Sequence, residues 1–445
     1  MYRAPTRWLV PAALAFLILG LFVAQPVTEV SGATDEDANF VFEVYDKLEK
    51  NYYDPDVIKY PALLNQALAG VKEVLKNGGV NFIFEAIPDS VDKEAAKNLF
   101  RKEMRKAVDL SQAKGGFKKD DLAFAAASYL LGSLNSSHTH FLTSEEYQEF
   151  KLRISGRQSF VGIGVMVAKL EDGFIYIHHV FNGAPSDQAG LKRFDRFVAI
   201  DGKAVTNDLE EMVSWIKGNP GEFVVITVER GGNKLDFKIK RERINAPTFN
   251  GKIIKKDGKK FGHLTLYGFN DGASDLMQSF MIQHKDVDGW ILDLRGNAGG
   301  YVYEMMAIVE YFLPAKTLVF SSKNKQGKED YYINARSMPL TQKSVLVLID
   351  GGSASGSEIT AGAIQDNKRG IVVGVKSAGA TEVSHIAALS RGAAMKIATD
   401  QVFTPQGLNI EGSGITPNEE VKMTKEDILQ SKDRQLDKAL ELLSK

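Results

Sequence analysis

Cysteine is absent from all 445 residues. Disulfides, thiol catalysis and cysteine-ligated zinc are excluded with it, and so is an acylated lipoprotein anchor. A charge of one sign is lacking as well. Lys and Arg number 55 against 56 Asp and Glu, a formal net charge of −1. That balance carries no basic footprint for nucleic acid and none for another polyanionic partner. What is present is ordinary globular composition, 44% hydrophobic and 25% charged, in a chain long enough for two to four domains. At the N-terminus, Arg3 and Arg7 precede an apolar run over residues 8–24 that contains Pro11, with the small residues Ser31, Gly32 and Ala33 beyond it. A charged stretch, a short apolar stretch and a small-residue site read as a signal peptide over residues 1–33. An uncleaved N-terminal membrane anchor is the second reading, because the run is short for a relaxed span. Either places the protein outside the cytoplasm, in a periplasmic or other extracytoplasmic space where ATP is scarce.

Residues 34–157 read as a helical domain. Phe40, Val41, Val44, Tyr45 and Leu48 recur at helical spacing, as do Leu63, Leu64, Ala67, Leu68 and Val71, then the Ala-rich run over residues 124–132. The charged stretch over residues 92–106 reads as a solvated helix face. Leu134-Asn-Ser-Ser-His-Thr-His-Phe-Leu142 follows. Its His138-x-His140 lacks an evident third ligand nearby, so no metal is expected, and two structural histidines are the plain reading.

Residues 158–243 alternate short strands, turns and two short helices. Residues 244–425 alternate strands and helices in a βα pattern, and the charged tail over residues 424–445 has amphipathic spacing. Within the βα region, residues 345–349 are five apolar residues in a row, a strand buried on both faces. Asp350-Gly351-Gly352 is a turn, and Ser353-Ala354-Ser355-Gly356 leads into a helix. A hydroxyl there meets free N–H groups and a dipole that favour developing negative charge, which suits a nucleophile. Ser355-x-x-Glu358 also has the pattern of a capping box, which needs no catalysis.

The unit over residues 158–243 resembles a PDZ domain. Phe160-Val161-Gly162-Ile163-Gly164 stands at the carboxylate-binding loop, and Ala184-Pro185, Ala189-Gly-Leu-Lys192 and Ile200-Asp-Gly-Lys203 match further signatures. One departure is Phe194, where glycine is usual. The resemblance implies that N–H groups of Val161, Gly162, Ile163 and Gly164 hold a peptide's terminal carboxylate while the peptide adds as a strand. The alternative is that these glycines only make a tight turn.

From about residue 35 to 425 the chain resembles the C-terminal processing peptidases, also called tail-specific proteases. The likeness rests on Asp293-Leu-Arg-Gly-Asn-Ala-Gly-Gly300, Gly352-Ser-Ala-Ser-Gly-Ser-Glu-Ile359, Ala361-Gly-Ala-Ile-Gln-Asp366 and Glu411-Gly-Ser-Gly-Ile-Thr-Pro417, in that order. It implies a multidomain α+β protein. A helical N-terminal cap, a PDZ domain of β-sandwich or barrel-like form, an α/β protease core of the crotonase/ClpP-like type over residues 244–425 and a C-terminal helix over residues 426–445 follow one another. It implies Ser355 as nucleophile and an oxyanion hole from the N–H of Gly356 and one N–H of Gly299 or Gly300. It also implies protein or peptide substrates with free C-termini, and no metal, nucleotide or other cofactor. An activator or adaptor protein, N-terminal membrane association and an oligomer are left open.

The chain departs from the family's usual Ser–Lys dyad. Where that family carries Phe-Gly-Lys-Gly-x-Val-Gln, this chain has Ala378-Gly-Ala-Thr-Glu-Val-Ser384, so Ala380 holds the lysine's place. Three readings follow. In the first, similar to the tricorn-like branch, Ser137-His138 supplies the general base and Glu411 supports it, since a neutral imidazole can activate a serine near neutral pH. In the second, Lys376 is a displaced base, which requires burial to lower its pKa. In the third, the protein is catalytically inactive, naturally or by replacement of the lysine, and is a peptide-binding scaffold.

Overall fold

The computed structural model describes residues 35–156, 159–170 and 173–445. The segment expected to be a signal peptide or anchor lies outside the described residues. Among the described residues no helix is long and apolar enough to cross a membrane. The chain forms two compact units, residues up to 144 with 384–398, and residues 145–383 with 399–445.

The first unit is a helical bundle of α1 (Glu36–Asn51), α2 (Tyr60–Asn77), α3 (Lys93–Lys114) and α4 (Asp121–Gly132). Val41, Val44, Tyr45 and Leu48 of α1 pack with Leu64, Leu68 and Val71 of α2 and with Ala123, Ala126, Ala127 and Leu130 of α4. The small residues let backbones approach. A Cβ added at Gly70 would lie 2.5 Å from Ala125 O, so a larger residue would force α2 and α4 apart. In α3 the Asp92 carboxylate caps the helix by accepting the Ala95 N–H at 2.8 Å. Its charged residues cover one face as expected, but Ala96, Phe100, Met104 and Ala107 point into the core. The short strand β1 (His140–Leu142) pairs antiparallel with residues 394–396. Met395, Ile397 and Ala398 thereby join the helical core. The expected helical domain was one continuous segment to residue 157; this late return is not visible in local pattern.

The second unit begins with α5 (Ser144–Ile154) and continues into a small β domain. Its strands are β2 (Ser159–Gly162), β3 (Val165–Lys169), β4 (Ile175–Val180), β5 (Arg196–Ile200), β6 (Lys203–Ala204), β7 (Phe223–Arg230), β8 (Asn233–Lys240) and β9 (Glu242–Asn245). Its helices are α6 (Pro185–Gln188) and α7 (Leu209–Ile216). The main sheet has the order β3-β4-β5-β7-β8, with β6 on β5, and β2 pairs with β9. Alternate residues Val224, Ile226 and Val228 face a core with Ile177, Phe197, Ile200 and Met212. Phe194 has a left-handed backbone, φ 72°, at the position where glycine is usual. Its ring is buried against Tyr176 and Ile428, and that packing offsets the strain.

Beyond it lie β10 (Phe249–Lys256), β11 (Lys259–Leu266), α8 (Ala273–Gln283), β12 (Gly289–Asp293), α9 (Val302–Val309), β13 (Leu318–Asn324), β14 (Glu329–Ile333), β15 (Ser344–Ile349), α10 (Gly356–Asp366), β16 (Gly370–Gly374), β17 (Val383–Ala388), β18 (Ala394–Phe403), β19 (Glu419–Glu420), α11 (Lys425–Leu429) and α12 (Arg434–Ser444). The central sheet runs β10-β11-β12-β15-β16-β19. β11 to β19 are parallel, and β10 is an antiparallel edge. Both faces are covered, as a parallel sheet requires. Leu292, Val345, Val347 and Ile349 face the core under α8, α9 and α10. Ile291, Leu346, Leu348 and Val373 face Ala439 and Leu440 of α12. The tail expected as one helix is broken between Leu429 and Arg434, and its second half closes the sheet's other face.

Candidate active site

β15 ends at Ile349 in the middle of the parallel sheet, and the following turn delivers residues 353–357 to the start of α10. Three serines compete there. Ser353 and Ser357 are fully buried. Ser353 Oγ donates to Leu294 O at 2.8 Å, and Ser357 Oγ to Asn297 O at 2.8 Å. Both tie this turn to the loop after β12. Ser355 alone of the three is partly exposed. Its φ of 54° and ψ of −116° lie outside the extended backbone of an ordinary helix cap, and strain of about 1–3 kcal/mol persists only where surroundings over-determine it. The Ser355 N–H is shared between Ala380 O at 2.8 Å and Glu358 Oε2 at 3.1 Å.

Glu358 is wholly buried. Its Oε1 accepts Ser377 Oγ–H at 2.6 Å and the Gly379 N–H at 2.7 Å, and its Oε2 accepts the Ala380 N–H at 2.9 Å besides that of Ser355. Burial pushes its carboxyl up, and these four donors oppose that shift. Ser377 Oγ accepts the Ile415 N–H at 2.6 Å. The Glu411 carboxylate accepts the Thr381 N–H at 2.7 Å, and the Gly412 N–H donates to Gly379 O at 2.8 Å. The Ser355 turn, the segment that carries Ala380 and the loop that carries Glu411 are thus one hydrogen-bonded assembly. Of the expected residues, Ser355, Gly356, Gly299, Gly300 and Glu411 are brought together here. Lys376, one residue from the inward-pointing Ser377, is exposed and lacks the burial that a displaced base requires.

Asn297 arranges the glycine loop. Its Nδ2 donates to Leu266 O at 2.8 Å, and its Oδ1 accepts the Gly299 N–H at 2.8 Å. Gly299 has φ 95°, and a Cβ on it would stand 2.7 Å from Ser355 Cβ and 3.0 Å from Gly356 N. Gly300 pairs with Phe269, where a Cβ would meet Phe269 O at 2.3 Å. Of the two glycines, Gly299 has its N–H engaged by Asn297. Sequence reasoning did not single out Asn297, although it lies inside the Asp293–Gly300 motif.

A buried charge network underlies this loop. Arg295 makes two hydrogen bonds to Asp293, at 2.8 and 2.6 Å, and two to Asp433, at 2.9 and 3.1 Å. His263 Nε2 lies 3.0 Å from Asp293. Burial by itself would raise the Asp293 carboxyl, but the Arg295 charge and hydrogen bonds hold it well below the carboxylate range. Arg193 of the β domain reaches Asp433 at 3.4 Å. His178 on β4 lies 3.6 Å from Asp350, which accepts the Gly296 and Gly352 N–H groups. Burial, then the charges of Arg193 and Arg295, push His178 down to about 3. It is therefore neutral at ordinary pH and not an ion-pair partner.

Ser137 and His138 lie in the helical unit. His138 is buried, with Nδ1 at 2.7 Å from Ser137 Oγ. Desolvation, with Lys396 and His140 adding to it, holds its pKa well below the usual histidine value. In the β domain, Phe160, Gly162, Ile163, Gly164, Val165, Val167, Val213, Ile216 and Lys217 line a groove of ≈ 60 Å³ between β3 and α7. Of the residues expected to hold a carboxylate, Gly162, Ile163 and Gly164 are in this lining. Val161 instead pairs with Arg243 of β9 and is not in the lining.

Residues 260–421 match the profile of Peptidase family S41, and residues 161–240 that of a PDZ domain. The Carboxyl-terminal-processing protease of Picosynechococcus sp. is 32% identical over 309 residues, covering 68% of this chain and 74% of that protein. A protein of Staphylococcus aureus (strain N315) named as a CtpA-like serine protease is 31% identical over 309 residues, covering 68% of this chain and 61% of that relative. Among solved structures, the photosystem II D1 C-terminal processing protease superposes with a TM-score of 0.53 at 19% identity, over 87% of this chain and 93% of the other. A chain of Bacteroides fragilis described as an S41 protease superposes with a TM-score of 0.57 at 14% identity, over 90% and 96%. At these identities the superpositions speak to fold alone.

Proposed function

The chain belongs to the carboxyl-terminal-processing proteases, serine peptidases of family S41, and from that premise we propose that it is an exported endopeptidase that cleaves protein substrates near their C-termini. The observation that carries the proposal is the placement of Ser355. It is the partly exposed serine of its turn, strained at a helix N-terminus and set against Gly299, while Ser353 and Ser357 are spent on structural bonds. Ser355 Oγ attacks the scissile carbonyl. The Gly356 and Gly300 N–H groups receive the developing oxyanion, since that of Gly299 is engaged by Asn297. His138 is the general base. Burial keeps its ring neutral, the form that accepts the serine proton, and the exposure of Lys376 weakens the competing assignment. Glu411 supports the imidazolium. Export rests on Arg3, Arg7 and the apolar run over residues 8–24.

The PDZ domain binds the substrate's terminal carboxylate and an apolar last residue. β3 is the edge strand of its sheet, open to an added strand, and the groove beside it is lined by Ile163, Val165, Val167, Val213 and Ile216. The test is a fluorophosphonate probe on purified protein, with the labelled residue identified by mass spectrometry. Labelling of wild type at Ser355 and none of Ser355→Ala is expected. A wild type that binds C-terminal peptides but neither labels nor cleaves them is a peptide-binding scaffold, the second reading, which Ala380 at the usual lysine position keeps in view.

A further inference from the structure

We propose that Glu358 is a positioning residue for catalysis, holding the Ser355 turn and the segment 377–380 in the reactive arrangement; this rests on the assignment of Ser355 as nucleophile. An ordinary N3 glutamate of a capping box sits at the protein surface and closes one N–H. Glu358 closes that N–H, but it is buried and closes three further donors as well. It has no exposed surface, and each oxygen receives two donors: Ser377 Oγ–H and Gly379 N–H on Oε1, Ser355 N–H and Ala380 N–H on Oε2. Three of these donors are backbone groups from two separate chain segments. The carboxylate therefore fixes the distance between the strained Ser355 backbone and Ala380, whose carbonyl takes the same Ser355 N–H at 2.8 Å. Through Ser377 it also reaches Ile415, in the loop that follows Glu411. No side chain at position 380 is needed for this coupling, because it runs through main-chain groups.

The chemistry makes an amide a poor substitute. With its NH₂ on the Oε2 side a glutamine faces the Ser355 and Ala380 N–H groups and loses both bonds; with it on the Oε1 side Ser377 Oγ can turn to accept, but the Gly379 N–H is left facing a donor. Ser355 then moves within its turn while the sheet beneath it is untouched. A shift of reacting groups on the order of 1 Å costs about a hundredfold in rate. Glu358→Gln is therefore expected to lower kcat about a hundredfold, and the second-order rate of fluorophosphonate labelling in parallel. KM for a PDZ-binding peptide substrate and the affinity for its C-terminus should stay within about twofold, since the groove between β3 and α7 is remote in sequence and contact.

Rates are measured per folded molecule, well below the melting transition. A folded Glu358→Gln protein that labels and turns over at the wild-type rate overturns the proposal. So does a loss that merely tracks the unfolded fraction. If that variant does not fold, Ser377→Ala decides, because it keeps the carboxylate but removes one donor from Oε1. A kcat drop of about tenfold at unchanged KM then supports the positioning role, and wild-type kcat refutes it. A wild type that is not labelled at Ser355 at all fails differently: it removes the peptidase reading, and this inference with it.

Discussion

Replacing Gly299 by alanine should slow the proposed acyl transfer while leaving the sheet intact. The new Cβ would lie 2.7 Å from Ser355 Cβ, 3.0 Å from Gly356 N and 3.1 Å from Ala354 O. Ordinary carbon contacts are about 3.5–4.0 Å. Ser355 must therefore retreat by roughly three-quarters of an ångström, and Gly356, whose N–H is the proposed oxyanion donor, moves with it. Misplacement on that scale costs about a hundredfold in kcat, or about 2.7 kcal/mol of barrier. The alanine also inherits φ 95°, which adds about 1–3 kcal/mol of backbone strain to the folded state. Steady-state kinetics on a peptide substrate, fluorophosphonate labelling and a thermal melt read these effects separately. Lower kcat at unchanged KM is expected, with a melt shifted but still cooperative. Gly351→Ala is the control, because a Cβ there meets nothing within 4 Å, and it should be silent. A Gly299→Ala enzyme with wild-type kcat and labelling rate refutes the geometry argued for the oxyanion site.

Asp433→Ala removes the carboxylate shared by Arg295 and Arg193 together with the cap of α12. It should destabilise by roughly 3–5 kcal/mol, seen as a lowered melting temperature; a melt within about 1 °C of wild type would contradict this. Phe194→Gly relieves about 1–2 kcal/mol of left-handed strain but forfeits about 3–5 kcal/mol of buried ring packing, so the variant should melt lower; a more stable variant would show that the strain dominates. With His138 as base, activity should rise with pH through a pKa below the usual ~6.5, because burial disfavours the charged ring. The same sign makes the fold lose stability as pH falls from the unfolded value of ~6.5 toward the lower folded one, since over that window the unfolded chain binds the proton more readily. His138→Ala should cut turnover about a hundredfold or more and Lys376→Ala should be nearly silent; the reverse pattern moves the base to Lys376. C-terminal peptides with an apolar last residue should bind the PDZ domain and lose binding when amidated, and isothermal titration showing equal affinity for both forms would remove carboxylate recognition.

What could be read from the chain alone was whatever is written locally. Five apolar residues in a row mark a strand buried on both faces, and residues 345–349 are one. Glycines that only tight turns or close approaches tolerate mark Gly164, Gly299 and Gly300, and the first two of these do have left-handed backbones. Ordered motifs were enough to place a PDZ domain ahead of a protease core. Tertiary structure decided what depends on partners distant in sequence. Ser353 and Ser357 are removed from contention by Leu294 O and Asn297 O, some sixty residues earlier, and Gly299 loses its N–H to a side chain of its own loop. Lys376 faces solvent while its neighbour Ser377 turns inward to Glu358, a choice no composition signals. Residues 394–396, some 250 residues after β1, return to pair with it inside the first unit, because a strand's partner is set by which edge is open in space. Periodicity and turn chemistry act over a few residues; the hydrogen bonds that select one serine, one glycine N–H and one buried carboxylate join segments brought together only when the sheet and its two covering layers have closed.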